Sequence, residues 1–247
     1  MAKFEKANSV GEWLEQRLNI KAINKVMMTE YWIPKDINFL WAMGVLLATT
    51  FTILVISGLF LMMYYKPDIN LAFDSVNYTI MQEVAFGWLF RHIHGVAASV
   101  IFLIIYIHML TGIYYGSYKQ GREMIWISGM LLFVTFSAAG FSGYMLPWGQ
   151  MSYWAAMVIT NLFGGVPVIG DALVVWIRGD FNVADATLTR FFMLHVFLLP
   201  IAIMGLIGLH FYTLRIPHVN NQSSEDIDFD AEAAKYLSGN KKESKVI

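Results

Sequence analysis

The fold this sequence predicts is an all-α membrane protein, a four-transmembrane-helix bundle with an amphipathic surface helix at its N-terminus. Composition gives the first indication: 57% of the 247 residues are hydrophobic and 14% charged, where a soluble domain carries roughly a quarter charged. The second is length. Apolar runs at about 39–65, 87–115, 124–146 and 188–214 each reach the ~20 residues that a helix needs to cross hydrocarbon at ~1.5 Å per residue. The third is chemical. Two of the runs each hold a pair of histidines at nearly equal spacing, 94 with 108 and 195 with 210. A titratable ring in hydrocarbon is costly unless compensated, so these four are functional candidates.

Residues 1–38 are expected to form a cytoplasmic amphipathic segment. Between 9 and 27, Val10, Trp13, Leu14, Leu18, Ile23 and Val26 recur at mostly helical spacing, with Glu12, Glu15, Gln16, Arg17 and Lys25 between them. That pattern suits a helix lying on the membrane, N-capped by Ser9, with docking on a soluble partner as the alternative. No compact apolar run follows a basic start, so no cleavable signal peptide is expected. The transmembrane domain then covers 39–217. Its first span stops at Lys66-Pro67-Asp68 and its third at Pro147. The connection 148–190 is broken by Gly164-Gly165, Pro167 and Gly170, and its apolar pieces are too short to span, so they read as two interfacial helices. Pro200 predicts a kink in the fourth span, and 218–247 reads as a polar cytoplasmic tail.

Lys and Arg set the orientation. Six lie in the N-terminal segment, two in the link after span two (Lys119, Arg122) and five in the tail (Arg215, Lys235, Lys241, Lys242, Lys245); Lys66, Arg91, Arg178 and Arg190 lie on the other side. Both termini are therefore expected in the cytoplasm, with the chain placed in the bacterial inner membrane. Spans two and four then run in parallel, so His94 should face His195 at the outer level and His108 should face His210 at the inner one. The net charge of −1 gives no basis for a nucleic-acid partner. With no cysteine, disulfides, chain-held iron–sulfur clusters and thioether-attached haem are excluded.

Zinc uses imidazole, but each level offers two histidines and no acidic residue or cysteine completes four ligands. Haem iron takes two axial ligands from opposite faces of a flat macrocycle. Small residues should then recur on the neighbouring helices, and Gly44 and Gly58 on span one, like Gly129 and Gly143 on span three, are 14 apart. Two stacked, non-covalent haem b groups fit this pattern. Arg91 and Arg190, at the outer level, suit haem carboxylates or, alternatively, lipid headgroups. His92 points off the ligand face, and His218 is assigned no role.

GYMLPWGQMSYW (143–154), TLTRFFMLH (187–195) and RHIH…HMLTGIYYGS (91–117) resemble cytochrome b of the quinol-oxidising cytochrome bc complexes and its photosynthetic counterpart, over roughly residues 10–218. The resemblance implies haem b at His94/His195 and His108/His210, with quinol oxidation near Phe141, Tyr144 and Trp148. Electrons would pass from the outer to the inner haem, and quinone would be reduced near the cytoplasmic face beside Arg215, with proton translocation. It also implies a quinol:cytochrome c (or related acceptor) oxidoreductase, inactive as this chain alone. Its expected partners are a Rieske-type iron–sulfur protein, a c-type cytochrome and the C-terminal half of cytochrome b or an equivalent subunit, in a dimeric complex.

Several positions depart from the family. The 15-residue spacing of His195 and His210, and Arg215 after it, look like the photosynthetic type, whereas Ala42 stands where that type has a cysteine for an extra haem. Thr111 replaces the usual Arg three residues after His108, so Arg122 or Arg215 is expected to meet the inner haem's carboxylates. The sequence ends at 247, before the family's remaining helices, which implies a separate subunit or a truncated form. A dihaem membrane anchor of a dehydrogenase, and a histidine-lined metal or proton transporter, are the rival readings.

Overall fold

The computed structural model describes residues 8–24, 31–119, 121–220 and 227–246, which divide into two compact units. One comprises 39–111 and 127–207; the other comprises the remaining segments, 1–38, 112–126 and 208–247. Four helices are long and apolar enough to cross a membrane: Phe39–Met62, Gly87–Tyr114, Glu123–Met145 and Asp185–Arg215. Among the described residues the only β pairing is a single bridge, Pro34 with Val246.

The amphipathic segment is two helices, α1 (Val10–Leu18) and α2 (Ile20–Asn24), not the one expected over 9–27. Ser9 caps α1, its hydroxyl accepting from the Glu12 N–H at 3.1 Å, while Glu12 accepts from the Asn8 N–H at 2.7 Å. The break is Asn19, in the left-handed region at φ 48°, which asparagine tolerates better than most residues. Residues 25–27 lie outside the described residues.

A 3₁₀ turn, Phe39–Ala42, leads into α3 (Met43–Met62). This helix closes three residues before the expected Tyr65, because the Tyr64 and Tyr65 N–H groups both turn back to the Leu61 carbonyl ahead of Pro67. No regular period in 68–86 signals the next element. α4 (Ala72–Asp74) continues as a π-helical stretch, Ser75–Glu83, in which Ser75, Val76 and Ile80 are buried. α5 (Gly87–Tyr114) starts against it. A Cβ on Gly87 would strike the Ile80 carbonyl oxygen, so only glycine allows this approach.

α6 (Glu123–Met145) is followed by the two short helices expected in 148–190, α7 (Gln150–Leu162) and α8 (Gly170–Arg178). Arg178 ties that corner together. Its side chain is buried, and it donates to Thr160 Oγ1 (2.9 Å), Asn161 Oδ1 (2.8 Å) and the Phe181 carbonyl (3.2 Å). Its own carbonyl accepts from the Thr187 hydroxyl at 2.9 Å. A guanidinium removed from water needs such a full set of acceptors. The last span therefore begins at Asp185, three residues before the expected 188, as α9 (Asp185–Met193), a π-helical turn Leu194–Leu198 and α10 (Leu199–Arg215).

The larger unit has an apolar layer of Ile101, Ile105, Phe136 and Ile203, with Phe51 packed edge-on against Phe136 at 5.6 Å. Ile101 and Ile105 lie between His94 and His108 on one face of α5, at steps of 7, 4 and 3 residues. A second cluster, Met145, Ala156, Val183 and Phe191, fastens α7 and α9 to the end of α6.

In the smaller unit the region expected to be a polar tail contains α11 (Phe229–Leu237), capped by Asp228. The Glu232 carboxylate accepts from Lys235 Nζ and from the Lys245 N–H, each at 2.7 Å, and the Lys35 N–H donates to the Lys245 carbonyl at 2.9 Å. The Lys235 and Lys245 hydrogen bonds hold the Glu232 pKa below its ordinary value. A depressed carboxylate pKa stabilises above the unfolded value, a contribution lost as pH falls through the folded value. Protection of the Lys245 amide from hydrogen exchange should therefore be full at neutral pH and decline below the ordinary glutamate range. Glu232→Gln should weaken it at neutral pH and flatten that decline.

Candidate functional site

The larger unit encloses a cavity of about 570 Å³, lined among others by Gly58, Arg91, His94, Gly143, Tyr144 and His195. The His94 and His195 ring centres are 6.1 Å apart and the rings are nearly perpendicular, at 81°. Two metal–nitrogen bonds of about 2 Å, each extended by about 1 Å to its ring centre, span about 6 Å. The pair thus stands at the separation that one iron between them requires.

Both rings are also set in the right tautomer. The His195 Nδ1–H donates to the Ala139 carbonyl at 2.9 Å. His94 Nδ1 lies 3.0 Å from Ser57 Oγ, and the ring also bonds the Leu54 carbonyl. The Ser57 hydroxyl is already spent on the Ile53 carbonyl at 2.7 Å, so its oxygen accepts from His94. With Nδ1 protonated on each ring, Nε2 keeps its lone pair for a ligand.

The glycines explain how this happens inside helices. Gly143 follows Ala139 by four residues and Gly58 follows Leu54 by four, so each stands over the carbonyl that a histidine uses. A side chain there would shield the carbonyl's second lone pair. A Cβ on Gly143 would lie 2.8 Å from His195 Nδ1, one on Gly58 3.1 Å from His94 Cε1, and one on Gly44 3.9 Å from His108 Cε1. At these glycines the space that a side chain would fill borders the histidine rings. Gly129 is on α6.

Other expected residues separate. Arg91 lines the cavity, its Nη1 3.9 Å from Met81 Sδ. Arg190 is exposed, donates to the Trp176 carbonyl and is not among the lining residues. Tyr144 lines the cavity, whereas Phe141 packs edge-on against Phe191 (5.7 Å) and Trp148 against Tyr153 (6.4 Å). The Thr111 hydroxyl is used within its own helix, on the Ile107 carbonyl at 2.8 Å. Among the described residues no group of three or more His, Cys, Asp or Glu gathers to hold a bare metal ion.

In the smaller unit the Arg215 guanidinium lies 3.5 Å from the Tyr31 ring centre, with Nε and Nη1 buried and without a hydrogen-bond partner among the described residues. His218 stacks between Tyr31 (5.8 Å) and Phe229 (4.4 Å). Burial lowers its pKa; Asp230 opposes, and the Arg215 and Arg122 charges add to the lowering. His210 lies one and a half turns before Arg215 on α10.

Sequence comparison agrees with this geometry. The family model Cytochrome b/b6/petB matches residues 28–217. The chain belongs to the cytochrome b family. It is 45% identical over 216 residues to cytochrome b of Allochromatium vinosum, covering 87% of this chain and 51% of that protein. It is also 45% identical over 223 residues to cytochrome b of Rickettsia conorii, covering 90% and 55%. A solved chain of a hyperthermophilic respiratory complex III superposes with a TM-score of 0.77 at 36% identity, over 93% of this chain and 65% of that one. The chain thus spans about half the length of the curated relatives it matches. It is an integral membrane protein of an electron-transport family that implies haem b binding, and the His94/His195 cavity fits that group.

Ser57 was missed in the sequence, although a signal was there: Ser-Gly recurs at 57–58, 128–129 and 142–143. Two outcomes follow from the contacts. Gly143→Ala should displace His195 and abolish the b-type absorbance of the His94/His195 site, Gly58→Ala should weaken it, and Gly44→Ala should leave the spectrum intact. Ser57→Ala should keep the fold and lower haem retention about tenfold, as loss of a partner behind a ligand commonly does; haem titration of the purified variants measures both.

Proposed function

We propose that the chain is the dihaem cytochrome b subunit of a cytochrome bc-type complex, holding one haem b between His94 and His195 and a second between His108 and His210. The observation that carries the reading is the outer pair: two imidazoles at the separation for one iron, each with Nδ1 bonded away and Nε2 free. When bound, the haems supply one-electron relay, from quinol oxidised on the outer side to quinone reduced on the cytoplasmic side, coupled to proton translocation. The protein is read as residing in a bacterial inner membrane with both termini cytoplasmic, in a dimeric complex with a Rieske-type iron–sulfur protein and a c-type cytochrome.

The chain's own residues hold and shield. Arg91 offers a cation to carboxylates at the outer cavity, and Tyr144 is the aromatic residue that lines it, while Phe141 and Trp148 pack behind on Phe191 and Tyr153. Arg190, turned to the Trp176 carbonyl, reaches this level only by a side-chain swing. Thr111 supplies no charge, so Arg215, with two buried donors that no described residue uses, is the cation for inner-level carboxylates or a quinone oxygen, with Arg122 as the alternative.

Removing the quinol proton requires a base within hydrogen-bond reach. No carboxylate lines the cavity, Asp185 accepts from the Ile69 N–H and Asp180 from the Phe181 N–H. The base therefore comes from the C-terminal half of cytochrome b or an equivalent subunit.

Reduced-minus-oxidised spectra test the ligands. His94→Leu and His195→Leu should each remove one and the same b haem, and His108→Leu and His210→Leu the other; two low-spin haems in any of the four would refute the pairing. The purified chain should show no inhibitor-sensitive quinol:cytochrome c turnover until its partner subunits are added.

A further inference from the structure

His94 and His108 are 14 residues apart on α5, which runs as α-helix from Gly87 to Tyr114, whereas His195 and His210 are 15 apart. In a regular helix one extra residue turns a side chain by about 100° and advances it about 1.5 Å. A ligand so displaced would leave the face and depth of its fellow. The last span is not regular. Between α9 and α10 the Leu199 N–H reaches the Leu194 carbonyl, five residues back, closing a π-helical turn over Leu194–Leu198.

Pro200 gives that turn a cause. In an α-helix its ring would press on the Val196 carbonyl and it could donate nothing to it, and a widened turn relieves the clash. Burial along the helix records the effect. Exposed positions fall at 189/190 and 193, then at 197/198, 201 and 204/205. Unbroken α-helical phase from 193 would put them near 197, 200 and 204. The buried positions agree: Phe191 and Ile203 are 12 apart, where three α-helical turns take about 11. One residue is absorbed.

We infer that the wide turn at Leu194–Leu198 is the positioning device for the second ligand pair, taking up the fifteenth residue so that His210 keeps the face and axial distance from His195 that His108 keeps from His94. His195, the second residue of the turn, is held from outside by the Ala139 carbonyl, so the adjustment falls on the helix below it. The inference rests on the dihaem reading and adds to it the reason why unequal spacings are compatible.

The test shortens the helix in the full chain. Deletion of Phe197 together with Pro200→Ala leaves the histidines 14 apart and lets the turn close as α-helix. Both low-spin b haems should remain, read by optical difference spectra and electron paramagnetic resonance. Insertion of one alanine between Leu198 and Leu199 should cost the inner haem alone. Loss of the inner haem with retention of the outer in the deletion variant would overturn the inference.

A second measurement covers a deletion that fails to fold. Nitroxide labels placed singly from 193 to 205 in the undeleted chain should show lipid-oxygen accessibility peaking at Ile201, and a peak at 200 would overturn it. A chain whose spectrum is indifferent to His210→Leu would sink the dihaem reading instead, with the label scan still deciding the turn.

Discussion

An imidazole N–H in hydrocarbon must find an acceptor, and the helices around it have already used theirs. The His94/His195 site depends on resolving that conflict. A helical carbonyl has a second lone pair, but the side chain four residues on usually covers it. Ala139 with Gly143, and Leu54 with Gly58, leave it uncovered, so each histidine bonds a backbone that is otherwise complete. The cavity, the ring separation of 6.1 Å and the free Nε2 atoms follow from those two uncovered carbonyls. Bulk is excluded at 58 and 143 first by the ligands themselves, whatever lies between them.

The sequence showed which residues matter more readily than why. Four histidines and four glycines at matched intervals stand out because a membrane helix has few polar positions to confuse them. The acceptor of His195 could not be seen, since a backbone carbonyl has no letter. The Ser-Gly pairs were visible and unread, because serine in a membrane helix commonly bonds its own preceding turn, as Ser57 also does. Arg178 was counted only as an outer charge; that it is buried among hydroxyl, amide and carbonyl groups depends on how α7 and α8 fold back.

Backbone geometry accounts for most of the remaining surprises. The stretch 72–83 mixes Asp74, Asn77, Gln82 and Glu83 with apolar residues at no regular period, so neither helix nor strand was suggested, yet it forms a π-helical layer that seats Gly87. Pro200 foretold an irregularity, but a proline can kink a helix or widen it, and only the Leu199–Leu194 bond separates the two. The tail from 218 is polar enough to read as a linker, and its order comes from Glu232 and the pairing of Lys35 with Lys245, contacts far apart in sequence.

The layer of Ile101, Ile105, Phe136 and Ile203 separates the two histidine levels of α5 by 14 residues, about 21 Å of helix. Hydrocarbon is about 30 Å thick, so the interval between the two levels corresponds to some two-thirds of a membrane's insulating depth. Any charge carried from one level to the other crosses that fraction of the transmembrane voltage, about 1.6 kcal/mol for each 100 mV. On the dihaem reading the isoleucines lie in the dielectric of a capacitor, and transfer between the levels would slow or quicken with the state of energisation of the cell.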